Sequence, residues 1–183
     1  FARPKRGRAT VQLVTSAIPF TLLWWLMAKS IEWGWNYGLT LLIAVPLCGL
    51  FIRLFIIQHD CGHGSYFASR STDHAVGAVL GVVTLFPYGY WKKTHAIHHA
   101  TSGNLDRREF GDVRTFTLAE YTALSPWRQF MYRLYRSSFA LFLVGPIYQF
   151  VLKHRFPFDL PFAWKKEWAS VIWNNVAIAL VGW

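Results

Sequence analysis

Apolar and polar positions along this chain fall into long blocks. Residues 11 to 28, "VQLVTSAIPFTLLWWLMA", carry no charge, and 18 residues at ~1.5 Å of helical rise reach most of a ~30 Å hydrocarbon core. The block predicts a first membrane-spanning helix, bent at Pro19. The stretch "KSIEWGWNYG", 29 to 38, is short and polar and holds Trp33, Trp35 and Tyr37, which predicts a tight turn in the headgroup layer. Residues 39 to 57 return across the membrane, with Arg53 close enough to the end to snorkel. Residues 75 to 91, "AVGAVLGVVTLFPYGYW", are apolar but rich in glycine and interrupted by Pro87; residues 139 to 152, "FALFLVGPIYQFVL", contain Gly145-Pro146. Their lengths suit dipping or interfacial helices better than full spans. Residues 168 to 183 begin a further apolar segment that the sequence leaves incomplete. The predicted fold is all-α: an integral membrane helical bundle of two long spanning helices, two short dipping or interfacial helices and a truncated further span.

Composition supports this reading, since 54% apolar and 18% aromatic residues among 183 exclude an ordinary soluble globule. The formal charge of +10 sits beside the apolar runs, which points to a cytoplasmic membrane face and not to nucleic acid. Basic residues gather in segment 1–10 (Arg3, Lys5, Arg6, Arg8), in 92–137 and in 153–167, whereas the turn at 29–38 has only Lys29. If both short apolar segments dip and return, all the basic stretches lie on the cytoplasmic side. If each crosses once, 92–137, the most basic of them, falls outside, so dipping is favoured. The start resembles a signal peptide, but residues 11 to 28 are long for one and no clear cleavage site follows, so they read as a retained helix. Cys48 and Cys61 imply no disulfide framework. With no initiator methionine and an apolar end, the chain reads as a fragment.

Five of the seven histidines form two groups, His59 and His63 in "HDCGH", then His95, His98 and His99 in "HAIHH". Positions i, i+3 and i+4 share one helical face, so each group can aim its imidazoles at one point. Imidazole is the usual nitrogen ligand of iron, copper, zinc and nickel. A lone HxxxH at a helix end is as easily an interfacial polar patch; HxxxH followed by HxxHH, both at ends of apolar segments, favours a metal site. A shared centre also requires that 75–91 not be a single crossing. His74 and His154 stand alone and read as structural, and Asn174 and Asn175 read as helix-packing residues.

At these residues the chain resembles the membrane fatty acid desaturase superfamily. "HDCGHGSYF" looks like its first histidine box and "WKKTHAIHHATSGNLDRREFGDV" like its second, close to the Δ12 (omega-6) acyl-lipid branch. The resemblance covers about residues 39 to 183, and the third box is absent. It implies one incomplete desaturase domain over 1–183, with His59, His63, His95, His98 and His99 as ligands of two iron ions on the cytoplasmic side. Asp60, Asn104 and Asp106 would then orient imidazole N–H groups, or else only cap helices and form turns. It also implies a membrane-associated fatty acyl lipid and O2 as substrates, with ferredoxin or a b-type cytochrome as electron donor. Arg107, Arg108, Arg114, Arg128 and Arg133 would dock an acidic donor or simply reflect membrane orientation. Rival readings are a histidine-box hydroxylase, alkane monooxygenase or carotenoid oxygenase and, in another class, a membrane metal transporter or haem carrier. A transporter places its ligands near the midplane of spanning helices, and a bis-histidine haem site needs only two histidines. With five histidines the chain is expected to be inactive alone.

Overall fold

The structure, a computed structural model, describes residues 4–108, 110–111 and 113–182; Arg3 of the basic start, Glu109 and Asp112 beyond the second histidine group, and Trp183 lie outside the described residues. Among the described residues eight helices follow one another: α1 (Arg6–Glu32), α2 (Tyr37–Gly62), α3 (Arg70–Val83), α4 (Tyr88–Thr101), α5 (Leu118–Thr122), α6 (Pro126–Tyr135), α7 (Ala140–Lys153) and α8 (Lys165–Gly182). No strand occurs among the described residues, so the chain is all-α as expected. Two compact units divide it, Phe1–Thr84 and Leu85–Trp183.

In the first unit α1 and α2 pack together as a helical hairpin, and both are long and apolar enough to cross a membrane. Each runs past its apolar block, because charged and polar residues can extend a helix into the interface where no breaker stops them. Lys29 pairs with Glu32 inside the last turn of α1 at 2.5 Å. The expected turn of ten residues therefore shrinks to 33–36, closed by Gly34 at φ +65°, with Asn36 capping α2 by accepting from the Gly38 N–H at 2.8 Å. Pro19 lies inside α1 and Pro46 inside α2. Leu22, Trp24, Leu41, Leu42 and Ile52 are exposed on the outside of the hairpin, as lipid-facing side chains would be. Between the helices, Ser30 and Thr40 share a buried hydroxyl contact of 2.8 Å.

α2 continues through the first histidine group. His59 occupies its last turn and His63 its C-cap, where the sequence had placed both just after the helix. The extension is held from inside: Gln58 is fully buried and accepts from the Thr84 hydroxyl at the end of α3. Gly64, at φ +66°, then turns the chain away. The loop that follows is tied at both sides, Tyr66 donating to the Ala9 carbonyl at 2.8 Å and the buried Asp73 accepting from the Phe67 N–H at 2.8 Å.

The apolar block 75–91 is not the single short helix the sequence suggested. α3 starts upstream at Arg70 behind its Ser69 cap and stops at Val83; α4 starts at Tyr88. Between them Leu85 takes a positive φ of 62°, and Pro87 disfavours helical backbone at the residue before it.

In the second unit α4 lies against α8. The approach is close at Gly89, whose N–H donates to the Ser170 hydroxyl at 2.9 Å; a Cβ there would stand 3.0 Å from that side chain. Tyr90, Leu160 and Val171 form a buried cluster with Trp164 and Trp168 packed on it. Lys93 joins the same seam, 3.1 Å from Glu167 and 3.6 Å above the Trp164 ring. Arg155 is the polar hub. Its guanidinium donates to Asn174 Oδ1 (2.9 Å), Asn175 Oδ1 (2.7 Å) and the Leu85 carbonyl (2.5 Å). Asn174 and Asn175 are thus packing residues held by a specific partner.

α7 is irregular. Wide π-type turns at Ala140–Val144 and Tyr148–Lys153 flank a short α-helical piece, Gly145–Ile147. Pro146 sits in that piece and offers no N–H to a regular ladder. At its end His154 is buried beside Phe86, ring centroids 4.4 Å apart. Burial, helped by the charges of Arg155 and Lys153, pulls the His154 imidazole from 6.5 down to about 3. The lowered folded value means that between those two pH values the unfolded chain binds a proton that the folded chain refuses. Stability is therefore expected to be full above pH 6.5 and to fall as pH drops toward 3. Thermal unfolding in detergent across that range should show a shallower loss for His154→Gln than for the wild type; identical slopes would remove His154 as the cause.

Candidate metal centre

The end of α2 brings His59 and His63 together because four residues make one helical turn. Their rings lie 4.5 Å apart by centroid and their Nε2 atoms 3.3 Å apart. On the other side of the His59 ring, Nδ1 is 3.0 Å from Asp60 Oδ1. A carboxylate beside Nδ1 favours the tautomer that carries its proton there, which directs Nε2 toward His63. Cys61, between the two histidines, is buried and carries no disulfide.

α4 repeats the device. His95 and His99 face each other with Nε2 atoms 3.0 Å apart and ring centroids 4.5 Å apart. His98 lies beside them, its ring near parallel to that of His95 at 6.1 Å and 5.8 Å from that of His99. Trp91 stacks on His95 at 4.6 Å with 16° between the planes, which limits how that imidazole can turn. The sequence reading passed over Trp91, although its spacing of four from His95 was a visible signal.

Two nitrogens each about 2.1 Å from one ion stand about 3.0 to 3.4 Å apart at octahedral to tetrahedral angles. The separations in both pairs fall in that range, and an all-imidazole donor set suits iron or another first-row metal. The residues present therefore fit a metal ion.

Of the other candidates, Asn104 and Asp106 form the turn after α4, Asn104 Oδ1 accepting from the Asp106 N–H at 2.9 Å. Arg108 is bound in two places to Glu120 of α5, at 3.0 and 2.8 Å. Those bonds, with the Thr117 backbone, pull the Glu120 carboxyl down to about 2, and Thr117 and Glu120 close a capping box on α5. Arg114 lies over the Phe116 ring at 5.3 Å.

The second unit also holds a cavity of about 780 Å³, lined by His95 and His98 at one part and largely by apolar and aromatic side chains elsewhere, among them Phe86, Trp91, Leu141 and Val144. Its size is that of a small-molecule site. His154, which the sequence reading left as structural, is also in its wall.

Known proteins similar to this chain are desaturases by name. A Bacillus subtilis protein named fatty acid desaturase is 43% identical over 178 residues, covering 97% of this chain and 49% of the relative. A Synechocystis protein named sn-1 acyl-lipid omega-3 desaturase (ferredoxin) is 42% identical over 60 residues, 33% of this chain and 17% of its own length. A soybean endoplasmic reticulum omega-6 fatty acid desaturase is 35% identical over 72 residues, 39% of this chain and 18% of that protein. The chain thus spans about half the length of the Bacillus relative and less of the other two. No solved structure matches it. Residues 33–183, which hold both histidine groups, match the family model described as Fatty acid desaturase, and the chain belongs to that family.

Proposed function

We propose that the full-length protein containing this chain is an oxygen-dependent fatty acyl desaturase that inserts a cis double bond into a membrane-associated acyl chain. His59, His63, His95, His98 and His99 hold two iron ions together with ligands supplied beyond this chain. The observation that carries this reading is the pair of facing imidazoles on each of two helices, with Nε2 separations of 3.3 and 3.0 Å. Bound iron would supply, with dioxygen, an oxidising power that no side chain possesses.

The chain's own residues prepare that chemistry. Asp60 favours the Nδ1 proton of His59, which directs Nε2 toward His63, and the Trp91 face fixes His95. The apolar part of the cavity takes the acyl chain and excludes water from it. Two electrons come from ferredoxin, the donor in the Synechocystis relative's name, or from a b-type cytochrome. The protein is multi-pass, with α1 and α2 as two of its spans and the histidine boxes on the cytoplasmic side, which the positive-inside tendency of the basic stretches supports. The sequence around the second box favours the omega-6 branch.

The test is lipid analysis of a host that expresses the full-length gene. New double bonds in the host's acyl chains are the expected result, and their position reads the branch directly. Hydroxylated acyl chains without new double bonds would overturn the reading.

A further inference from the structure

Beyond the helix that carries the second box, the chain folds back on it. Gly111 has φ +84° and its backbone lies flat against His98: a Cβ at that position would stand 3.2 Å from His98 Cβ and Cγ and 3.3 Å from Nδ1. These distances are tighter than ordinary contact, so a side chain at 111 would push the imidazole by a few tenths of an ångström. The segment that delivers Gly111 is pinned further along. The Arg114 N–H donates to the Tyr135 hydroxyl at 3.1 Å and the Phe116 N–H to the Tyr132 hydroxyl at 3.2 Å, both tyrosines standing on α6. Gly103, earlier in the same loop, shares the backbone conformation at φ +81° but has nothing within 4 Å of its would-be Cβ.

We propose that Gly111 is a positioning residue of the second histidine box, one that holds the His98 ring in its metal-binding orientation through a strap anchored on α6. This rests on the reading of His98 as an iron ligand. A ring closed in on one side has fewer rotamers to lose when an ion binds, so the strap preorganises the ligand. The sequence showed "GDV" as part of a family-like stretch without a reason for the glycine; the contact with His98 supplies one.

The two glycines give a matched experiment on the full-length protein, purified in detergent. Gly111→Ala and Gly103→Ala impose the same left-handed strain, so both should lower the melting temperature, Gly111→Ala the more because its Cβ also presses on His98. Only Gly111→Ala pushes on His98, so its iron should pass to an excess of chelator about 10-fold faster than from the wild type, as for other groups that orient a ligand. Gly103→Ala should release iron at the wild-type rate, and equal rates for the two variants would overturn the proposal. Should Gly111→Ala not accumulate, Tyr135→Phe loosens the strap without touching either glycine; faster iron release supports the proposal and an unchanged rate overturns it. A wild-type protein that holds no iron would instead sink the desaturase reading, and this inference with it.

Discussion

Replacing His95 by alanine in the full-length protein is expected to reduce desaturation by at least about 100-fold, the upper end of what is lost when even a ligand's outer partner is removed. His95 is the most informative position because two contacts meet on it: the facing Nε2 of His99 at 3.0 Å and the stacked Trp91 ring at 4.6 Å. The imidazole is only half-buried on its helix, and alanine is a better helix former than histidine, so the fold should tolerate the change. Membrane insertion and yield should match the wild type while iron content and product formation fall. His98→Ala should behave alike. Wild-type turnover in either variant would remove that residue from the ligand set.

Arg155→Ala should have the larger effect on stability. The change strips the donors from Asn174 Oδ1, Asn175 Oδ1 and the Leu85 carbonyl at once. A buried acceptor that loses its bond costs about 1 to 3 kcal/mol; Asn174 is buried and Asn175 partly so, while the exposed Leu85 carbonyl can turn to solvent, so one or two such losses are set against the roughly 5 to 15 kcal/mol by which a domain is stable. The expected outcome is a sharp loss of folded protein in detergent, seen by size exclusion and thermal unfolding, with iron lost as a consequence. Arg155→Lys keeps the charge but cannot spread three bonds in one plane, so it should fall between the two. A melting temperature within a degree or two of wild type for the alanine variant would show that the network does not hold α4 and α8.

What the sequence disclosed follows the range of the interactions involved. The two long helices were legible because an apolar run of sufficient length with at most one charge, Arg53 in the second, has few alternatives; their ends were not, since they depend on caps and on partners such as Thr84 for Gln58. The apolar run from 75 to 91 concealed a break, because hydropathy is blind to backbone conformation and only Pro87 hinted at the left-handed Leu85. The facing pairs on α2 and α4 were visible as i, i+4 spacing, a local property of one helix. Gly111 against His98, and Arg155 with asparagines 19 and 20 residues away, are contacts between separate elements that spacing along the chain does not encode.

One property of the facing pairs bears on how such a protein is made. His59 with His63, and His95 with His99, are each brought together by a single helical turn and need no second element for it. With iron as the proposed occupant, a two-point grip exists on each helix as soon as that helix has formed, before the rest of the chain has been synthesised. Capture of the ion can then proceed in stages during biogenesis: weak, reversible binding by one turn first, and retention only once later segments complete the shell. Metal supply during translation, as well as after it, would then govern the yield of active protein.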